Sequence, residues 1–143
     1  MRGISNEVSM GTTKIAIELH DSVIGSLSSE GSDLKLSLNP AYVHRSIGIP
    51  GIDPGDGLVQ DAIITIRDGS VAGELPEFPT HILDGECLLG SQTIIDLIHL
   101  PLDQEGSVSL VLHVAPDYRK IVMTGKHISI RMIGNARWVE RVN

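Results

Sequence analysis

Cysteine, aromatic residues and long apolar runs are all scarce in this sequence, and each scarcity excludes something. Among 143 residues there is one cysteine, Cys87. No intramolecular disulfide can form, which favours a reducing compartment. Glu86 precedes it, and an acidic neighbour disfavours a thiolate, so Cys87 reads as a buried structural thiol rather than a nucleophile. The aromatic residues are Tyr42, Phe78, Tyr118 and Trp138. A core must therefore be built from Ile, Leu and Val, and little is left on which bases or sugar rings could stack. No apolar run approaches the ~18 residues of a membrane helix, and the N-terminus carries no apolar segment of the secretion-signal type. The expectation is a soluble, cytoplasmic protein with no membrane partner. A formal net charge of -7 argues against a general phosphate-binding surface, and so against a nucleic-acid partner. Arg131, Arg137 and Arg141 leave room for a local basic patch near the C-terminus.

What is present is alternation. Ile15, Ile17 and Leu19 face one way and Lys14, Ala16, Glu18 and His20 the other, which is the period of a half-buried strand. Val23–Ser28 is a second strand, and Leu34, Leu36 and Leu38 mark a third that Pro40 ends or kinks. Leu58–Arg67, Val71–Leu75, Ser107–Val114, Arg119–Thr124, His127–Ile133 and Arg137–Val142 follow, with Glu77–Thr80 as a connector. In His127–Ile133 the pattern turns Ile128, Ile130 and Met132 inward and His127, Ser129 and Arg131 outward. Asp84-Gly85 between His81–Leu83 and Glu86–Leu89 reads as a hairpin turn. Thr93–Leu100 is either a central strand or a single helical turn, its β-branched residues favouring strand. No stretch longer than about 10 residues has helical periodicity, and turn signals recur about every 8–12 residues. These features predict an all-β, mostly antiparallel sandwich or flattened barrel, with a four-stranded C-terminal meander and one long Gly/Pro loop. Residues 1–13 are polar and aperiodic and read as a disordered or appended leader; residues 14–143 form a single β domain.

The long loop lies within Tyr42–Asp61. Pro50 and Pro54 remove backbone donors, and Gly48, Gly51, Gly55 and Gly57 permit positive φ. It gathers His44, Arg45, Asp53, Asp56 and Asp61, which are candidate ligand or partner contacts. With His20, the residues His44, Asp53, Asp56 and Asp61 also form a conceivable divalent-metal set, since strands can bring dispersed ligands together. Asp53-Pro54-Gly55-Asp56-Gly57 has the flexibility calcium needs but not the alternating oxygens of an EF-hand. The plainer reading is strand-end histidines and a turn that crosses between sheets. No cofactor is predicted, and a metal is the minor alternative.

Enzyme signatures are missing. There is no Gly-x-Ser-x-Gly elbow, and neither Gly48-Ile49-Pro50-Gly51 nor Gly55-Asp56-Gly57 precedes a helical pattern that could cradle a phosphate. Trp138, flanked by arginine, is either a core anchor or an exposed interface residue of the kind enriched at binding hot spots. Glu18-Leu19-His20-Asp21-Ser22, on a first strand followed at once by a second, resembles the opening of several short bacterial β domains, some of them grouped with toxin-immunity proteins. The resemblance spans about five residues, implies a bacterial, cytoplasmic, non-enzymatic protein, and carries over no functional residue. The expected function is therefore a non-enzymatic binding or protein-interaction domain with a protein partner or self-association. The alternative is a metal-dependent or small-ligand site, hydrolytic in one version, built from loop aspartates and strand-end histidines.

Overall fold

The computed structural model describes residues 13–143, so the expected leader lies, apart from Thr13, outside the described residues. Ten strands follow in order: β1 (Lys14–Glu18), β2 (Val23–Glu30), β3 (Asp33–Ser46), β4 (Gly55–Arg67), β5 (Ser70–Ala72), β6 (Thr80–Leu89), β7 (Gln92–Ile95), β8 (Leu97–His99), β9 (Asp103–Val114) and β10 (Arg119–Val142). Every ladder between them is antiparallel. Six strands close a ring in the order β2-β6-β9-β10-β4-β3 and back to β2. The closure between β2 and β6 is only two residue pairs, Val23 with His81 and Ile24 with Thr80. The all-β, flattened-barrel expectation describes this architecture.

The sheet continues beyond the ring because β3 and β4 are longer than the barrel needs. The first half of β3 pairs with β2 and its second half, Tyr42–Ser46, with β1. The resulting outer sheet has the order β8-β1-β3-β4-β10. The C-terminal half of β10 pairs with β4 on one side. Its pairing with β9 on the other side stops at Ser129, so from Arg131 onward no described strand covers that edge.

The interior is aliphatic, as four aromatics required. The largest fully buried side chains are isoleucines, leucines and Met123. One buried row runs Cys87, Leu110, Met123 across β6, β9 and β10. Cys87 has no exposed surface, and burial raises its thiol to about 11. At neutral pH it should resist a thiol-specific reagent in the native protein and react fully in denaturant. Fast native labelling would show that β6 opens locally.

Three segments differ from the sequence expectation. Asp84-Gly85 is not a turn: β6 runs straight through it. Gly85 is small there because a Cβ would meet Leu112 Cδ2 at 2.7 Å and Leu19 Cδ1 at 2.9 Å. Arg119–Val142 is one strand rather than three, and its glycine positions are register shifts at Gly125/His127 and Ile133/Arg137 instead of turns. The first of these shifts also turns His127 inward, where it is buried against Asp103. Thr93–Leu100 resolves into β7 and β8, separated by Asp96 at φ 62°.

Candidate functional site

The pleat of the outer sheet divides the candidate residues between two faces. Successive residues of a strand point to opposite sides, so His44 and Arg45 cannot contribute to one site.

On the face with His44, Glu18 sits in the centre. His44 Nε2 donates a hydrogen bond to Glu18 Oε2. His20 Nδ1 lies 3.2 Å from Glu18 Oε1. His20 belongs to the turn after β1, and its backbone N–H donates to Asp96 Oδ1 at 2.7 Å. Asp96 is itself fixed by its main chain: its N–H donates to the Gly85 carbonyl at 2.9 Å, and its carbonyl accepts from Leu19 N–H at 2.8 Å. Ligand atoms of Glu18, His20 and Asp96 all lie within 4.8 Å of one another. The hydrogen bond to Glu18 raises the His20 pKa above the usual imidazole value; partial burial opposes this, and Asp21 and Asp96 add to the rise. Tyr42 packs edge-on against His44 and donates its hydroxyl proton to Glu140. Burial, then that hydrogen bond, raises the Tyr42 phenol well above its ordinary value. Gly57 makes room for this arrangement, since a Cβ there would collide with the Tyr42 hydroxyl.

Beside Asp96 opens a surface cavity of about 310 Å³, lined by Asp84, Glu86, Ile95, Val111 and His113 as well as Asp96 itself. On its far wall His113 Nδ1 lies 2.7 Å from Asp84 Oδ1, and Tyr118 donates to the other Asp84 oxygen. The Tyr118 hydrogen bond holds Asp84 below the usual carboxylate range; burial opposes it, and His113 adds a further lowering. A larger cavity of about 490 Å³ is lined by Pro76, Pro79, Pro116 and Arg119. Arg119 is already committed there to Asp117 and the Leu75 carbonyl.

On the opposite face, Asp56 is the centre. Trp138 Nε1 donates to Asp56 Oδ1 at 3.2 Å, and Arg45 Nη2 to Oδ2 at 3.3 Å. Arg141 lies 3.6 Å away. These donors hold Asp56 below its ordinary pKa, the tryptophan most and then Arg45. Ile47 shares a small hollow with Arg45, Asp56 and Arg141.

The six residues named as candidate contacts are thus distributed. Arg45, Asp56 and Trp138 come together, and His44 joins His20 on the other face. Asp53 serves the loop: its Oδ2 accepts the Ile49 N–H at 2.7 Å. Asp61 is exposed on β4 opposite Ile133, apart from both clusters. Glu18 and Asp96 were missed as candidates. The available signal was a lone acid in each of two apolar stretches, Ile15–Leu19 and Thr93–Leu100.

Comparison with protein families, curated proteins and solved structures finds no match for this chain. The protein class that can be stated is structural: an antiparallel β-barrel continued into an outer sheet.

Proposed function

We propose that this chain is a protein-interaction domain whose contact surface is the Trp138 edge of the outer sheet. One observation carries the reading. A cross-strand row of five apolar residues runs Ile98, Ile17, Val43, Leu58, Trp138 over β8, β1, β3, β4 and β10. The first four are buried, and the fifth is 62 % exposed. The core row therefore runs out to solvent at the only tryptophan. Val139, Ile47, Ile49 and Ile52 are also exposed.

The surrounding charges suggest the partner's chemistry. The edge from Arg131 to Val142 carries three arginines and one glutamate in a chain whose net charge is -7. Buried Trp and Arg are the side chains that dominate binding energies at interfaces. The complementary partner is a protein segment with an apolar side chain to cover Trp138 and a carboxylate to meet Arg141, which shares its face. Bulges at Ile133/Arg137 and Trp138/Glu140 break the run of backbone donors and acceptors, which limits simple strand addition. Side chains rather than a long new ladder carry the contact.

Trp138→Ala should leave folding stability within about 1 kcal/mol, because most of the ring is exposed. It should weaken partner binding by about 2 kcal/mol or more, roughly thirtyfold. The check is affinity capture from the native source with wild type and variant side by side, combined with solution mass against concentration. A partner retained equally by both proteins moves the contact elsewhere and removes this surface from the reading. A mass that doubles with concentration only when Trp138 is present makes the partner a second copy.

A further inference from the structure

We propose that Glu18, His20 and Asp96 form a binding site for a divalent first-row cation, zinc by preference, with His44 as the positioning residue that holds Glu18. The site lies on the face opposite Trp138 and does not depend on the protein-interaction reading.

Two segments distant in sequence supply the donors: the end of β1 with the turn just after it, and the β7–β8 junction. One imidazole and two carboxylates are a donor set that zinc accepts, with bonds of about 2.0–2.2 Å. Donor atoms already within 4.8 Å of one another can reach such distances by small side-chain rotations. Neither carboxylate has a permanently charged partner among the described residues; Glu18 faces the imidazoles of His20 and His44, which are cationic only when protonated. Among the described residues, neither Glu18 nor Asp96 has a lysine or arginine within ion-pair distance; their polar partners are His20, His44 and backbone groups. Carboxylates grouped without a permanent cation make the site favourable to one.

The surroundings match what a metal site requires of its second layer. Ligating carboxylates need a hydrogen bond to fix their orientation. His44 provides it to Glu18 Oε2, and the two side chains are only 13 % and 19 % exposed. That bond leaves Oε1, the oxygen facing His20, for the cation. Asp96 has little freedom, since its N–H and carbonyl are both hydrogen-bonded and its Oδ1 accepts the His20 N–H. His20 is more than half exposed, so solvent reaches the cation and completes its coordination. On binding, His20 Nδ1 must be unprotonated; any proton on that atom leaves to water as the cation takes its place. The Asp96-lined cavity would then set a small ligand beside the metal.

The test uses the full chain stripped with chelator and titrated with zinc alone, followed by calorimetry and by metal analysis after gel filtration. One equivalent of zinc is expected. His20→Asn or Asp96→Asn should weaken binding by at least about tenfold, and His44→Gln by roughly ten- to hundredfold. His113→Gln, which changes the histidine across the cavity, should leave the affinity unchanged. His20 is exposed enough for its variant to fold, and circular dichroism of each variant checks this. The proposal is overturned if wild type retains no more zinc than a folded His20→Asn/Asp96→Asn double variant. It is equally overturned if His113→Gln weakens binding as much as His20→Asn does.

Discussion

Leu112→Ala should lower the stability of the barrel by about 2–5 kcal/mol, the usual range for removing a fully buried leucine side chain. Leu112 has no exposed surface and stands on β9 between Gly85 of β6 and Ile121 of β10. Its side chain takes the place that a Cβ on Gly85 would need, with Leu19 close on the other side. The two positions are therefore coupled. Gly85→Ala alone should be unfavourable by about 1–3 kcal/mol, because it overfills a packed site. In the Leu112→Ala background the added methyl enters the cavity left by the leucine, and most of that penalty should disappear. Urea unfolding of the four proteins in the cycle measures the coupling, expected at about 1 kcal/mol or more. Strictly additive effects would mean that Gly85 is small for another reason. The same cycle bears on the site above this packing. Gly85 accepts the Asp96 N–H, so a shifted Gly85 backbone displaces Asp96.

Gly85 also shows why the chain was only partly legible. An Asp-Gly pair at a hairpin and an Asp-Gly pair inside a strand are the same two letters. What separates them is whether another side chain occupies the Cβ position, and that depends on tertiary packing. Gly125 repeats the case, since a Cβ there would collide with Ile66 Cγ2, whereas Gly134 has open space around it and is set apart by its φ of 70°; β10 passes through both as a bulged strand. By contrast, the strand interiors could be read directly. Val108, Leu110, Leu112 and Val114 alternate as expected and are all buried, because a period of two has one interpretation once a sheet has an inner face. The site was less legible for a related reason. Adjacent candidates in the Tyr42–Asp61 stretch lie on opposite faces of the pleat, so proximity in sequence overstated proximity in space. Glu18 and Asp96 are 78 positions apart in number and meet only because β1 pairs with β8. No local pattern contains that pairing.

The Gly/Pro loop between β3 and β4 is held by a device that recurs next to the Glu18 cluster. Ser46 is buried; its hydroxyl donates to the Pro54 carbonyl at 2.8 Å and accepts the Gly48 N–H at 3.0 Å, tying the loop's entry to its exit. Asp53 closes the interior of the loop by accepting the Ile49 N–H, while its own N–H donates to the Ile49 carbonyl. The loop's polar residues are thus largely spent on its own geometry. Arg45, Asp56 and Trp138, the residues that remain for contact, belong to the strands that flank it or pair with them.

Ser22→Ala should be a costly polar substitution, at about 1–3 kcal/mol for each of the two groups it orphans. Ser22 has no exposed surface. Its hydroxyl donates to the Glu18 carbonyl at 2.6 Å and accepts the Tyr42 N–H at 2.9 Å. Its own N–H donates to the Leu19 carbonyl, and its carbonyl accepts the Ile82 N–H. One small residue therefore joins the end of β1, the middle of β3 and the start of β6, close to the short β2–β6 ladder that closes the barrel. Alanine fits the space but leaves the Tyr42 N–H and the Glu18 carbonyl without a partner and with little water to replace it. Exposed Ser28 on β2 is the control: Ser28→Ala should stay within about 0.5 kcal/mol. Chemical denaturation measures both. Amide hydrogen exchange at Tyr42 separates a local from a global effect, and faster exchange there, beyond the loss in overall stability, is the expected pattern. Zinc affinity should fall with it, since the hydroxyl anchors the backbone of Glu18, a proposed ligand. A Ser22→Ala protein as stable as the Ser28 variant would show that another donor and acceptor already serve Glu18 and Tyr42.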